Sequence, residues 1–238
     1  KEYNIDLTIA NGDNLAHGKG VTRNTVKEVI ECGVDVLTCG DHIWDNKKPL
    51  DMFKGNYCGL LYPANFPTID YKSGCKIINI DSVKILVINL IGRVFFKNYP
   101  DCPFQKADEI LENHKDANIV IVDFHAEATS EKRVIGFYLN SRVSAVLGTH
   151  THIQTSDEEI LSGGTAYISD VGMVGPKDSI LGCEKEAVIE QMITQRKFRY
   201  EISKDENIMI NAVVLEIDNR SGKALSIKRV NEVVKLVL

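Results

Sequence analysis

The sequence predicts an α/β protein, a four-layer sandwich in which helices flank two mixed β-sheets that pack face to face. Short runs rich in Ile, Val and Leu, typical of buried parallel strands, alternate with amphipathic helical segments along most of the chain. Two further segments have the pattern of antiparallel hairpins, so the sheets should be mixed. With 238 residues, the chain is long enough for one domain with a substantial core.

The first part of the chain predicts a βαβ unit. An apolar run at residues 5–10 provides the first strand. Thr22 can then cap a helix whose apolar residues recur at helical spacing, and Gly33 ends this helix. A second apolar run at residues 34–38 follows directly, and a short helix between two such runs is typical of parallel strands.

The rest of the chain continues the mixed pattern. Two strands about a tight turn, residues 75–80 and 83–90, predict an antiparallel hairpin. The later predicted elements are, in chain order, a helix at 107–114, a strand at 119–122, a helix at 131–139, strands at 143–147 and 165–169, a helix at 184–194, and a closing hairpin of 207–217 with 224–230.

Four of the apolar runs end directly in clusters of residue types that can bind metal ions. The clusters are Asn11-Gly12-Asp13-Asn14, Cys39-Gly40-Asp41-His42, Asp123-Phe124-His125 and Gly148-Thr149-His150-Thr151-His152. Ligands of open α/β sheets gather beyond the carboxyl ends of the strands, so these clusters should meet. Carboxylate, amide and imidazole ligands suit Mn²⁺, Fe or Zn²⁺, and five or six of them can hold two ions about 3.5–4 Å apart.

The pair His150 and His152 is the most specific of these signals. Two imidazoles one residue apart cannot both point into one pocket on a regular strand, because successive side chains face opposite sides. On an irregular turn after the strand they can, so the sequence predicts such a turn after residues 143–147.

Composition limits the classes of partner. The net charge is −5, and Lys and Arg are scattered rather than gathered in a stripe, which argues against binding of duplex nucleic acid. No apolar stretch is long enough to span a membrane, and no signal segment opens the sequence. The six cysteines lack any C-x-x-C pair. We therefore expect a cytoplasmic protein without a membrane partner; a homo-oligomer is compatible with the sequence.

Taken together, the motifs resemble the YmdB-type branch of the calcineurin-like metallophosphoesterases. The resemblance covers nearly the whole chain in the family's order. It is carried by Asn11-Gly12-Asp13-Asn14, Gly40-Asp41-His42 with Asp45, residues 123–132, Gly148-Thr149-His150-Thr151-His152 and residues 165–173. The resemblance implies a dinuclear phosphodiesterase acting on small phosphodiesters, 2′,3′-cyclic nucleotides among them, with two divalent metal ions, Fe or Mn foremost and Zn as a further option.

By position, the resemblance also implies roles for individual residues. Asp13 would bridge the ions, Asn14 and His152 would bind one of them, and Asp41, His125 and His150 would bind the other. His42 would donate a proton to the leaving alkoxide. An imidazole with an ordinary pKa near 6.5 beside a ligand suits general acid catalysis, although a hydrogen-bonded histidine at a strand end is the alternative.

Other residues carry weaker signals. Arg93, after a strand, could contact the substrate phosphate or form a surface salt bridge. Glu127 and Lys132 are expected to order the loop after His125. Packing under the site is the favoured role of Trp44 and Phe124, rather than base stacking. His17 could reach the mouth of the pocket, and His114 is expected to be solvated.

The chain departs from the family pattern at three points. The position usually occupied by Glu is Asp13, and the position usually occupied by Asn is Asp41. The family's first strand would lie upstream of Lys1, so residues 1–238 are expected to form a single metallophosphoesterase domain lacking its first strand and helix. These departures motivate an alternative function, a catalytically weakened or inactive regulatory module on the same scaffold. A different metallohydrolase, such as an amidohydrolase, fits the order of the ligands less well.

Overall fold

The computed structural model describes residues 3–45, 59–67, 74–97 and 99–236. They form an α/β fold with a mixed sheet, as the sequence predicts. The predicted βαβ unit consists of β1 (Ile9–Asn11), α1 (Arg23–Glu31) and β2 (Val36–Thr38), and the two strands pair in parallel. The side chain of Thr22 accepts a hydrogen bond from the backbone N–H of Thr25, which confirms the predicted cap.

The largest sheet has six strands in the described part of the chain. In chain order they are β3 (Cys75–Ile80), β4 (Val83–Ile91), β5 (Ile119–His125), β6 (Ala145–Thr149), β7 (Glu159–Ile160) and β8 (Ala166–Ile168). The spatial order is β3-β4-β5-β6-β8-β7. The pairs β4–β5, β5–β6 and β6–β8 are parallel, whereas β3 and β7 pair antiparallel at the two edges.

A further antiparallel sheet follows near the end of the chain. It contains β9 (Val174–Pro176), β10 (Asn207–Ile217) and β11 (Ala224–Lys235), in the order β11-β10-β9. The predicted closing hairpin is therefore confirmed, with β11 extending beyond the predicted boundary. The sequence pattern missed β7 and β9, because strands of two or three residues carry no recognisable periodicity.

Helices cover one face of the six-stranded sheet. These two helices are α2 (Pro103–Asn113) and α3 (Thr129–Leu139). Another helix, α4 (Lys185–Thr194), lies later in the chain. Ile110 of α2 and Ile135 of α3 share a buried cluster with Ile88 and Val122 of the sheet. None of the helices in the described residues combines the length and the apolar character that crossing a membrane requires.

The opposite face of the same sheet packs against other strands. Val87 and Ile121 are buried there together with Val36 of β2 and Ala224 of β11. The central strands β4 and β5 are therefore apolar on both faces, which explains their continuous apolar runs in the sequence. This packing brings the carboxyl ends of β1 and β2 close to those of β5 and β6.

Two predicted strand boundaries are wrong in ways that bear on the site. The first strand covers only Ile9–Asn11 of the run that begins at residue 5, because its parallel pairing extends over the three residues of β2. The strand predicted at residues 119–122 continues to His125. Asp123 and His125 are thus part of the parallel ladder and are not loop residues beyond it.

Candidate metal centre

Asp13 lies in the turn that follows β1. Its side chain is buried, and Oδ1 accepts hydrogen bonds from the backbone N–H groups of Gly40 at 2.7 Å and His42 at 3.1 Å. These two donors fix the carboxylate relative to the segment after β2. The other oxygen, Oδ2, is buried without a hydrogen-bond partner and lies 3.5 Å from Nε2 of His125.

Gly40, Asp41 and His42 follow β2. A Cβ atom at position 40 would lie 2.1 Å from Nε2 of His125, so only glycine permits this approach of the backbone to the imidazole. Asp41 begins a 3₁₀ helix, Asp41–Trp44, and its Oδ1 lies 3.3 Å from Nε2 of His125. His42 is oriented differently, because its Nδ1 is 2.9 Å from Oδ2 of Asp45.

His125 is the last residue of β5 and is fully buried. Its Nδ1 is 3.0 Å from the hydroxyl of Thr149, which itself donates a hydrogen bond to Asp123 at 2.7 Å. Because that hydroxyl proton is already committed, Thr149 accepts the Nδ1–H proton of His125. In the neutral ring Nε2 then carries the lone pair, and this atom faces Asp13 and Asp41.

His150 and His152 lie in the irregular turn predicted after β6, and both have positive φ angles, 109° and 66°. Such backbone conformations are rare for non-glycine residues and concentrate at functional sites. Nδ1 of His150 is 3.0 Å from Nε2 of His125, and its Nε2 is 2.9 Å from a carboxylate oxygen of Glu127. Nε2 of His152 lies 3.1 Å from Oδ1 of Asn14.

Asp123 connects the strands that carry the site. It is buried at the centre of the ladder and accepts hydrogen bonds from Asn11 in β1, Thr38 in β2 and Thr149 in β6. Asn11 in turn accepts the backbone N–H of Asp13 at 3.0 Å. One carboxylate therefore ties the turn of Asp13 to the imidazole of His125. In the sequence Asp123 is recognisable only as part of a ligand-type cluster, and the pattern gives no sign of this supporting role.

A buried ion pair holds the turn of the two histidines. Nζ of Lys132 in α3 lies 2.7 Å from Oδ2 of Asp170, and both side chains are almost completely buried. Oδ2 of Asp170 also accepts the backbone N–H of Thr151, the residue between His150 and His152. Lys132 was expected to order the loop after His125; it acts instead on the next strand-end turn.

The residues form two groups that could hold metal ions. Asp41, His125 and His150 offer ligand atoms within 4.8 Å of one another, and so do Asp13, Asp41 and His42. His125 and His150 each direct one ring nitrogen into the first group while an acceptor binds the other, the usual arrangement of metal-binding histidines. The buried Oδ2 of Asp13, which has no hydrogen-bond partner, also fits metal binding.

The carboxylates and imidazoles of this centre shift one another's pKa values. Burial opposes protonation of His125, but the neighbouring Asp13 and Asp41 carboxylates outweigh it and raise the pKa of His125. Burial lowers the pKa of His150, and the charge of His125 lowers it further. Burial raises the pKa of Asp123 despite its hydrogen bonds. The carboxylates thus concentrate negative charge at the point where the imidazole nitrogens converge, which favours a cation.

The centre opens into a cavity of about 550 Å³. Its walls include the ligand-type residues Asp41 and His150, with His42 beside them. The remaining wall comes from Asp45, Phe95, Phe96, Lys97 and Glu127. This volume is in the range of small-molecule sites.

The residues with weaker sequence signals, Arg93, Phe124 and Trp44, lie outside the group of candidate metal ligands. Arg93 is exposed, and its backbone N–H donates to Glu131; the described cavity wall contains Lys97 from the same loop instead. Phe124 is buried in the core, as predicted, and Trp44 packs edge-on against Phe66.

Two further histidines lie outside the cluster. His17 adopts a positive φ of 54° in the Gly-rich turn. The ring of His114 is half-buried with Nδ1 2.8 Å from the carbonyl of Ile110, so the expectation that it is simply solvated is wrong. That contact spans four residues at the C-terminal end of α2, where His114 is the cap residue.

Comparison with known proteins places these residues in a family. The sequence matches the family described as YmdB-like protein over residues 1–230. It is 43% identical over 230 residues to a 2′,3′-cyclic-nucleotide 2′-phosphodiesterase of Bacillus subtilis, covering 96% of this chain and 86% of the relative.

Two solved structures have the same fold. One is a hypothetical protein from Thermus thermophilus, with a TM-score of 0.89 and 35% identity, covering 96% of this chain and 88% of that one. The other is a novel phosphatase from Mycoplasma pneumoniae, with a TM-score of 0.89 and 32% identity, covering 98% and 84%. From the match over nearly its whole length, the chain belongs to the YmdB-like protein family.

Proposed function

We propose that this protein is a metal-dependent phosphodiesterase that hydrolyses small phosphodiesters such as 2′,3′-cyclic nucleotides. The observation that carries the proposal is the convergence of one oriented nitrogen from each of His125 and His150 on Asp41, a residue that lines an open cavity. Relatedness to a 2′,3′-cyclic-nucleotide 2′-phosphodiesterase supports the same conclusion.

The proposed centre holds two divalent ions, iron or manganese in preference to zinc. Asp41, His125 and His150 would bind one ion, and Asn14 with His152 the other, while Asp13 bridges them. The 3.1 Å contact between His152 and Asn14 supports the second group. When bound, such ions act as Lewis acids toward a phosphoryl oxygen.

His42 is the proposed proton donor to the leaving alkoxide. Its Nδ1 is engaged by Asp45, so a protonated ring has Nε2–H left to donate. The side chain of His42 lines the cavity and is 29% exposed, so it is accessible to a substrate while Nδ1 stays bound to Asp45. Arg93 remains a predicted contact of the substrate phosphate, now with Lys97 as a nearer cation on the cavity wall.

We also propose that the sheets and helices together form the four-layer sandwich of a single metallophosphoesterase domain. Apolar clusters on both faces of the six-stranded sheet support this arrangement.

The experiment is hydrolysis of a nucleoside 2′,3′-cyclic phosphate by purified protein, with the bound metal counted in the same sample. We expect turnover that is lost on chelation and restored by Mn²⁺ or Fe²⁺, with two ions per chain. His150→Ala should lose metal and turnover together. One ion or none, with no turnover after metal addition, would contradict the proposal and favour the non-catalytic regulatory module.

A further inference from the structure

The loop after β4 forms one wall of the cavity. Phe95, Phe96 and Lys97 all line it, together with Asp41 and His42. Phe96 packs against the metal centre, because its ring centroid is 5.0 Å from that of His150. Phe95 is different: 81% of it is exposed although it is a large apolar side chain at the mouth of a polar site.

A buried carboxylate anchors this loop. Glu131 of α3 accepts the backbone N–H of Arg93 at 2.9 and 3.1 Å and that of Val94 at 3.2 Å. A Cβ atom at position 92 would lie 2.4 Å from the Glu131 carboxylate, so Gly92 is needed for the loop to reach it. The loop is therefore held in place from the core side, two residues before the cavity wall.

The backbone of Phe95 is held in an unfavourable conformation. Its φ is 70°, a value that bulky residues rarely adopt. Such strain costs free energy and persists where the surrounding structure fixes it, often beside a ligand. Here the strained residue presents an aromatic ring to a cavity that also contains an ammonium group, that of Lys97.

We propose that Phe95 stacks against the nucleobase of the substrate, so that the loop after β4 forms a base subsite beside the metal centre, with Lys97 attracting the substrate phosphate. The inference rests on the proposed phosphodiesterase function. Phe95 lines the same cavity as Asp41 and His150. A base stacked on Phe95 would therefore lie in the cavity into which the metal centre opens.

Stacking on an aromatic ring tolerates every base, because each has a π face, and it favours the larger purines. The subsite should therefore add affinity for nucleoside cyclic phosphates over phosphodiesters that lack a base. It should select little between adenine and guanine, because no hydrogen-bonding group is required for the stack.

The test compares two substrates, adenosine 2′,3′-cyclic phosphate and methyl riboside 2′,3′-cyclic phosphate, which has the same reacting group and no base. Phe95→Ala should lower kcat/KM for the adenosine substrate on the order of tenfold. It should leave kcat/KM for the methyl riboside unchanged. Phe95→Tyr should behave like the wild type toward both. The matched control is Phe137→Ala, which removes an exposed phenylalanine on α3 outside the cavity wall and should change neither value.

The outcomes separate the subsite from the function. Equal losses for both substrates in Phe95→Ala, or no loss for either, would overturn the base subsite while leaving the phosphodiesterase intact. If the wild type hydrolyses neither substrate with metal supplied, the proposed function fails and the subsite fails with it.

Discussion

The two sides of the metal centre are held in place by different interactions. The carboxylate side, Asp13, Asp41 and His42, follows two strands of only three residues each. Backbone N–H groups orient Asp13, and the partly exposed Asp45 orients His42. The histidine side, His125, His150 and His152, belongs to the six-stranded sheet.

Buried side chains support the histidine side. Asp123 and Thr149 fix the ring of His125, and the Lys132–Asp170 ion pair holds the turn of His150. Buried charges cost stability when they lose a partner, whereas a partly exposed side chain can be replaced at little cost. Substitutions of the partly exposed Asp41 and His42 should therefore mainly affect function, and those that support the histidine side should also affect stability.

The largest expected effect is on catalysis, from the carboxylate side. His42→Ala should lower kcat about 10²–10⁴-fold for substrates with poor leaving groups, because the proton donor is lost. A nitrophenyl ester should lose much less, since nitrophenolate leaves without a proton. Steady-state kinetics with both substrates, together with metal analysis and urea unfolding, would check this. Loss of metal, or equal losses for both substrates, would contradict the proton-donor role of His42.

The second effect is on the stability of the histidine side. Lys132→Met should lower the free energy of unfolding by about 3–5 kcal/mol, because the Asp170 carboxylate would stay buried without its partner. Lys84→Met is the matched control, since it breaks an exposed Lys–Asp pair and should cost far less. Urea unfolding of both variants measures the difference. Equal, small losses would mean that Lys132 does not support this side as described.

A smaller effect should appear in metal affinity. Asp123→Asn replaces one carboxylate oxygen, which accepts a hydrogen bond, with an amide NH₂ group, which can only donate. This change disrupts the network behind His125, so we expect about 10–100-fold weaker metal binding. Competition against a chromophoric chelator gives the affinity. Asp157→Asn, the same change in a carboxylate that binds Ser169, serves as control and should keep the wild-type value. An unchanged affinity in Asp123→Asn would contradict the bridging role of Asp123.

The smallest effect is a pH dependence of stability at Asp157, outside the metal centre. Burial opposes ionisation of Asp157, but hydrogen bonds from Ser169 and Thr155 outweigh it and lower its pKa below 3.8. A lowered folded-state pKa stabilises the fold above the unfolded value, and this contribution disappears as pH falls through the folded value. The stability difference between wild type and Asp157→Asn should thus be constant above about pH 5 and shrink below about pH 4. Urea unfolding across this range tests it; a difference independent of pH would rule it out.

The candidate site was largely predictable because its residues follow apolar runs directly. The clusters at Asp13, Asp41, His125 and His150 each carry their chemistry in a few consecutive residues, and parallel strands bring such ends together. The turn of His150 and His152 was predictable for the same local reason. The error at His125 arose because a polar residue within a buried strand looks like the end of that strand.

What the sequence determined by itself was the α/β alternation, the set of metal-binding residue types and their order. The tertiary structure alone decided which supporting residues meet. Asn11 and Asp123 are 112 residues apart, and Lys132 and Asp170 are 38 apart. Periodicity reports only which face of an element is apolar, whereas these contacts depend on how whole elements pack. The position of Phe95 at the cavity likewise depends on a distant contact. Its loop is anchored by Glu131, which lies 38 residues after Arg93 in the chain.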